Sequence, residues 1–307
     1  MELSDVLVIG AGPAGLTAAT YLARYRRRVT VVHDGRSRAL RIPLTHNAPG
    51  FPGGVTGVEL VERMEAQARL YGACMIEDCI HTLRSGDDGY VARGERSYRA
   101  RAVILATGIE LNEVDLPFDV HEAALAQGCL RYCPVCDGYE ARDRRVGVLG
   151  CSVHGAREAL FLKGFSDDVI LIPQEASGLT LRQQSELRAR GVQVAGAALE
   201  ALRPGPEGMT VLLRSGEVIR LDVLYPALGV RPRSELARSL GLGLTPGGCI
   251  EAGPGQSLGV PGLYAAGDVV EGLDQVSVAI GQGAVAATRA HNDLRRRDGE
   301  VLESAGS

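Results

Sequence analysis

Near its start the chain reads DVLVIGAGPAGLTAATYLARYRRRVTVV, an apolar strand followed by a glycine turn, an amphipathic helix and a second strand. Gly10, Gly12 and Gly15 stand in GxGxxG spacing. Gly10 permits the tight turn, Gly12 lets a pyrophosphate approach the backbone, and Gly15 lets helix and strand pack closely. A phosphate is favoured at the start of such a helix, where free N–H groups and the dipole meet it. A second copy of the unit begins at Arg145, RVGVLGCSVHGAREALFLKGFSDDVILIPQE, again in the order strand, turn, helix, strand. An internal repeat of a whole nucleotide fold predicts two domains, which 307 residues can supply at roughly 100–150 residues each. The predicted class is α/β, with two Rossmann-like, doubly wound, three-layer dinucleotide-binding domains.

The two copies are unequal. In the second, Gly150, Ser152 and Gly155 hold the glycine positions, and the serine crowds the point of closest pyrophosphate approach. Its second strand ends in Pro173, Gln174 and Glu175, none of them a cation. In the first copy the ribose-binding acid belongs at the end of the second strand, where His33 precedes Asp34; Asp34 is the candidate, although it could equally begin the turn DGRSR. Two further apolar strands end in small residues, RAVILATGIE at Ala106-Thr107-Gly108 and VPGLYAAGDVVEG at Ala265-Ala266-Gly267-Asp268. Strand carboxyl ends are where doubly wound sheets bind nucleotides.

A formal charge of −4 and a pI near 5.9 give no broad basic field for nucleic acid or anionic membrane. No apolar run reaches the roughly 20 residues of a membrane span, and MELSDVLVIGAGPAG lacks the basic start and cleavage site of a signal peptide. A cytoplasmic protein is expected. Seven cysteines, an odd number scattered through a long chain, are not the framework of a secreted disulfide protein.

Two of them form CxxC in LRYCPVCDGYE, where Cys133 and Cys136 are followed by Asp137. In a reducing compartment such a pair is more often catalytic or metal-binding than structural, and the spacing lowers a thiolate pKa. With Cys129 the pattern becomes CxxxCxxC, a spacing that holds iron–sulfur clusters, and a lone CxxC can be half a zinc site. Zinc needs four ligands, and neither a second CxxC nor clustered histidines exist; no metal site is predicted. Cys74, Cys79, Cys151 and Cys249 have no partner visible in sequence. Of His46, His121, His154 and His291, His46 is the best candidate for a functional role.

Together these residues resemble the low-molecular-weight thioredoxin reductases over essentially the whole chain. The resemblance is carried by GAGPAG (Gly10–Gly15), HNAPGFPGGVTG (His46–Gly57), ATG (Ala106–Gly108), YCPVCDGYE (Tyr132–Glu140), AAGDV (Ala265–Val269) and DQVSVAIGQGAVAA (Asp274–Ala287). It implies an FAD domain built from both chain ends, residues 1–113 and 247–307, with a pyridine-nucleotide-type domain carrying the CxxC inserted at 114–246. It implies FAD contacts from Gly10, Gly12, Pro13, Ala14, Gly15, Asn47, Thr107, Gly108, Gly267, Asp268, Gln275 and Val276, and a homodimer. It makes Cys136 the flavin-facing sulfur, Cys133 the interchange thiol and Asp137 the general acid.

The second copy departs from the family. The histidine and arginines that clamp the NADPH 2′-phosphate are replaced by Pro173, Gln174 and Glu175, and Glu175 would repel a phosphate. Arg157, Arg231 and Arg233 are the remaining arginines to consider as substitutes. The sequence therefore predicts an FAD-dependent dithiol–disulfide oxidoreductase with impaired NADPH use, working on a thioredoxin-like protein or a small disulfide or dithiol. Relatives that take electrons from ferredoxin, carry a second flavin or run as dithiol oxidases offer other routes, and VVHDGRSR is similar to a segment of such relatives. A flavin-bound redox sensor that does not turn over and a ferredoxin- or flavodoxin-linked NADP reductase are the other classes; the CxxC argues against the last.

Overall fold

The computed structural model describes residues 3–86, 88–175 and 178–301. Contacts divide the chain into two compact units, one of Met1–Leu44, Ala48–Glu110 and Arg231–Ser307, the other of Thr45–Asn47 and Leu111–Val230.

The first unit begins with the predicted motif, β1 (Ser4–Ile9), α1 (Pro13–Arg24) and β2 (Val29–His33), and continues through α2 (Gly57–Leu70), β3 (Cys74–Glu77), β4 (Thr82–Gly86), β5 (Gly89–Arg93) and β6 (Ser97–Leu105). β7 (Ile109–Leu111) then leads out of it. The second unit holds α3 (Phe118–Gln127), α4 (Pro134–Asp137), β8 (Val146–Leu149), α5 (Val153–Leu162), β9 (Val169–Ile172), α6 (Leu181–Ala189), β10 (Val192–Val194), β11 (Leu199–Gly205), β12 (Gly208–Leu213), β13 (Val218–Leu221) and β14 (Val223–Pro226). The chain returns through β15 (Val230–Pro232) to α7 (Glu235–Ser239), β16 (Leu263–Ala265) and the long α8 (Val276–Arg297).

The sheet of the first unit runs β3-β2-β1-β6-β5-β4. β6 is long enough to hold antiparallel β5 along its first half and parallel β16 along its second, at Val103–Leu105. From Val6 to Ile9 β1 is apolar because both of its faces are covered. Val6 and Val8 face the cluster under α1 and α8, whereas Leu7 and Ile9 join a second cluster with Leu236 and Ala237. This is the three-layer arrangement the sequence predicts, and it explains why the repeat reads as continuous apolar runs rather than alternation.

The second unit repeats it with a smaller parallel sheet, β10-β9-β8-β14. One face is covered by α5 through Ala156, Ala159 and Leu162. The other packs on the antiparallel meander β11-β12-β13 through Leu149, Ile170, Ile172 and Leu224 against Met209 and Val211. The smaller domain is thus inserted into the larger.

The contact-defined units differ from the expected bounds at both junctions. The sequence places the return to the first unit at 247, but the chain rejoins it at Arg231. Residues 231–246 are anchored there physically: Leu236 and Ala237 enter its core, and the Arg233 amide donates to Gly108 O at 2.9 Å. The outgoing boundary likewise lies at Glu110/Leu111 rather than at 113/114. Among the described residues no helix is long and apolar enough to cross a membrane.

Candidate functional site

In the first unit the glycine turn forms one wall of a cavity of about 250 Å³. Its geometry leaves no room for side chains. A Cβ on Gly10 would sit 2.2 Å from Ala106 O, and one on Gly15 would sit 1.9 Å from Gly10 O. Gly10 also takes φ 112°, a conformation that favours glycine. A Cβ on Gly12 would come 3.2 Å from Ser37 Oγ, at the mouth of the turn. Gly12 is the N-cap of α1; no side chain caps the helix, and its first turn holds no acidic residue. The N–H groups at this helix start thus remain available to an anion.

Around this turn the cavity is lined by Pro13, Ala14, Asp34, Thr107, Gly108, Gly267, Asp268 and Val276, all predicted from sequence, and also by Arg36, Arg38 and Arg233, which were not assigned to it. Arg38 pairs with Asp268 at 2.9 Å. Asp34 lies one residue beyond the end of β2, where it accepts from the Arg36 amide at 3.0 Å and the Arg233 guanidinium at 3.3 Å. Burial pushes the Asp34 carboxyl up, but the Arg36 amide and the two guanidinium groups outweigh it and hold the group below its ordinary value. Nearby Asp274 is raised to about 6 by burial and by the Asp268 charge, against the pull of Arg38. A glycine cradle, an uncapped helix start, a basic side chain and a carboxylate at the end of β2 fit a dinucleotide: phosphate at the turn, ribose at the acid.

Three of the predicted contacts sit elsewhere. Gly15 packs α1 onto the turn. Gln275 is the N-cap of α8, one residue before the cavity-lining Val276. Asn47 is exposed, accepts from the Thr45 hydroxyl at 2.8 Å and clusters with the second unit. Arg231 and Arg233, considered as phosphate clamps for the second copy, belong to the first unit. Arg233 pairs with Asp34 and Glu110, and Arg231 with Glu110 and Glu235.

In the second unit Cys133 and Cys136 are joined as a disulfide. Cys133 caps the short α4, and its Sγ accepts from the Cys136 amide at 3.1 Å. Both sulfur-bearing residues are half-buried. Asp137 follows in the same helix with one carboxylate oxygen 2.8 Å from Arg131 Nη1 and the other accepting from the Tyr225 hydroxyl at 2.9 Å. Burial raises the Asp137 pKa even so; Arg131 and Tyr225 oppose the rise and Glu140 adds to it. His46 bonds Glu140 at 2.9 Å, four residues after Cys136. Cys129 is apart from the pair. It is 3% exposed, donates to Ala124 O at 3.6 Å and is raised by burial, so it behaves as a small buried hydrophobe. Among the described residues no group of three His, Cys, Asp or Glu converges as metal ligands.

The second glycine turn is differently used. Ser152 caps α5, its hydroxyl accepting from the His154 amide at 3.3 Å. The Gly178 amide, from the segment after β9, donates to Cys151 O at 2.7 Å and ties that segment onto the turn. Gln174 and Glu175 are exposed. Gly150 and Gly155 are looser than their counterparts, with a Cβ on either 3.2 Å from the other's Cα. Of the other histidines weighed from sequence, His121 is buried against the Tyr132 hydroxyl, His291 stacks on Tyr25, and His154 pairs with Glu158 along α5.

The sequence matches the family model described as pyridine nucleotide-disulphide oxidoreductase over residues 4–283. It is 32% identical to thioredoxin reductase of Mycolicibacterium smegmatis, covering 96% of this chain and 97% of the relative. The corresponding figures for thioredoxin reductase of Streptomyces coelicolor are 31%, 94% and 93%. Among solved structures, that of HlmI is 31% identical and superposes with a TM-score of 0.88, covering 97% of this chain and 94% of that one. Thioredoxin reductase of Streptococcus pyogenes is 25% identical, with a TM-score of 0.86 over 96% of this chain and 99% of that one.

Proposed function

Because the chain belongs to the pyridine nucleotide-disulphide oxidoreductase family, on its thioredoxin reductase branch, we propose that it moves electron pairs between FAD, the Cys133/Cys136 pair and a substrate disulfide or dithiol, with NADPH a poor donor. The flavin disulfide oxidoreductase class follows from family membership; the donor, the substrate and the residue roles are the proposal. The observation that carries it is the Cys133–Cys136 disulfide with the half-buried Asp137 beside it. FAD would be held by the turn Gly10–Ala14, by Asp34, by Thr107 and Gly108, and by Gly267, Asp268 and Val276. Bound there, it supplies a two-electron store.

The chain's own chemistry is thiol–disulfide exchange. With the pair reduced, Cys133 Sγ attacks one sulfur of a substrate disulfide and displaces the other as a thiolate, which takes a proton from Asp137. Cys136 Sγ then attacks Cys133 Sγ, releases the second substrate thiol and restores the Cys133–Cys136 bond, so two electrons pass to substrate. The Cys136 amide aimed at Cys133 Sγ supports Cys133 as the attacking atom, since such a bond stabilises a thiolate.

Poor NADPH use is supported by the second turn. Glu175 stands where a phosphate clamp belongs, Ser152 takes the closest approach, and Gly178 fastens the following segment onto Cys151. The same feature favours a second direction of flow, in which a substrate dithiol gives two electrons and two protons to the enzyme and oxygen accepts them as peroxide. Anaerobic stopped-flow separates the cases. Slow bleaching of the flavin by micromolar NADPH and fast bleaching by a dithiol is the expected result; fast bleaching by NADPH would sink the impaired-donor claim. Oxygen uptake on adding a dithiol tests the reverse direction.

A further inference from the structure

We propose that Arg131 and Tyr225 are positioning residues that hold the Asp137 carboxylate from both sides and so set the pH at which the Cys133/Cys136 pair exchanges its proton. The inference rests on the proposed exchange chemistry, in which Asp137 gives its proton to the departing thiolate.

The grip is built by the fold of the second unit. Cys129–Arg131 lies alongside β14: the Leu224 amide donates to Cys129 O at 2.9 Å, the Arg131 amide donates to Leu224 O at 3.0 Å, and Leu130 bridges Leu224 in parallel. That pairing brings Arg131 beside Tyr225, the next residue of β14. The Arg131 side chain is itself pinned. Its Nε donates to Gly128 O at 3.1 Å, and its Nη2 lies 3.0 Å from where a Cβ on Gly128 would be. Gly128 ends α3 in the left-handed conformation, φ 76°, so the helix stops at a residue with no side chain and the guanidinium occupies the space. Nη1 then reaches one Asp137 oxygen at 2.8 Å while Tyr225 Oη donates to the other at 2.9 Å and to the Asp137 carbonyl at 3.2 Å.

Tyr225 is 0% exposed, and burial together with the Asp137 charge keeps its phenol protonated as a donor. The third ionisable neighbour, Glu140, pushes the other way and is bonded to His46. α5, which packs against α4, brings the His154–Glu158 pair. Asp137 is thus a carboxyl whose charge burial disfavours and one cation and one hydroxyl support. Removing either holder raises its pKa further.

The test reads thiol reactivity in the full-length, FAD-loaded protein reduced by a phosphine. The rate of Cys133 alkylation by iodoacetamide is followed by mass spectrometry across pH. The inflection that belongs to Asp137 is the one that Asp137→Asn removes. Arg131→Gln and Tyr225→Phe are expected to move it up by about one pH unit, Arg131→Lys to return it, and Tyr225→Phe to have no effect in the Asp137→Asn background. Tyr225→Phe changes no charge and carries the test alone should Arg131→Gln fail to fold. A folded Tyr225→Phe protein with the parent inflection overturns the proposal, as does an inflection that Asp137→Asn leaves in place. The titration needs neither donor nor acceptor. No disulfide turnover by the unaltered protein, with the inflection still shifted in the variants, would therefore refute the exchange chemistry and leave the positioning role standing.

Discussion

The two glycine turns share a topology but differ in how closely they are built. At the first, positions 10 and 15 admit no Cβ at all, the helix start is uncapped, and Arg38 and Asp34 stand around the cavity. At the second, the glycines are more loosely apposed, a serine hydroxyl caps the helix, and a neighbouring amide occupies a turn carbonyl. Both turns still do the structural job of the motif, which is to pass a strand into a helix over the carboxyl edge of a parallel sheet. The first has an uncapped helix start, where free amides can meet a phosphate, whereas at the second the Ser152 hydroxyl takes the His154 amide. The packing role of the motif is therefore separable from the tight glycine apposition and uncapped helix start of the first turn, a difference visible in contacts of a few ångströms.

The largest expected effect tests that difference directly. Gly15→Ala forces a methyl group to within 1.9 Å of Gly10 O, a backbone atom that cannot move without displacing β1. It should cost about 3 kcal/mol or more and release flavin. Gly155→Ala meets Gly150 Cα at 3.2 Å and needs a shift of only a few tenths of an ångström; its cost should stay near 1 kcal/mol. Thermal unfolding and flavin content measure both. Equal losses would mean that the two turns are equally tight and that the comparison fails.

Much of this was legible in the sequence, because glycine spacing and apolar runs are local signals. Both strand–turn–helix–strand units, Asp34, Thr107–Gly108 and Gly267–Asp268 were placed from such signals. Arg38 and Arg233 were not found in the cavity, since an arginine in a loop carries no mark of which carboxylate it will meet. Arg231 and Arg233 were considered for the second copy because the return to the first unit was expected at 247; the packing of Leu236 and Ala237 puts it at Arg231. The holders of Asp137 were invisible for a similar reason. Arg131 and Tyr225 are 94 positions apart by number (225 minus 131) and meet only because Cys129–Arg131 pairs beside β14.

The units should also respond oppositely to pH. In the first, burial would raise Asp78, but the Tyr98 hydroxyl and the amides of Glu95 and Arg96 hold it at about 2. A depressed carboxyl stabilises the fold above its unfolded value of 3.8 and loses that stabilisation as pH falls through 2. In the second, burial lifts Glu158 from 4.5 to about 7, and its Oε2 has no hydrogen-bond partner among the described residues. Here the sign reverses: stability is full below 4.5 and declines as pH rises through 7. Asp78→Asn should flatten the acid limb of the thermal midpoint and Glu158→Gln the neutral one, with Glu158→Gln the more stable protein at pH 8 and unchanged at pH 4. A Glu158→Gln protein no more stable at pH 8 would show that Glu158 is well solvated.

The smallest effect bears on the donor. Glu175 is exposed and follows the strand end where a phosphate clamp belongs, so Glu175→Arg replaces a repulsion with one charge-assisted hydrogen bond. About 1.4 kcal/mol of gain is tenfold in affinity. The improvement should appear for NADPH and not for NADH, which lacks the 2′-phosphate, and should fade as salt is raised, because an exposed pair is screened over about 10 Å at 0.1 M. Ser152→Gly added to it removes a cap worth only a few tenths of a kcal/mol when glycine replaces it, and reopens the closest approach. If the double variant still binds both nucleotides alike, charge and crowding are not what closes the second turn, and the bond from Gly178 to Cys151 becomes the remaining cause within that turn. If the unaltered protein binds NADPH at micromolar concentration and Glu175→Arg changes nothing, the second unit has kept its nucleotide by another route, and the contrast between the two turns is one of packing alone.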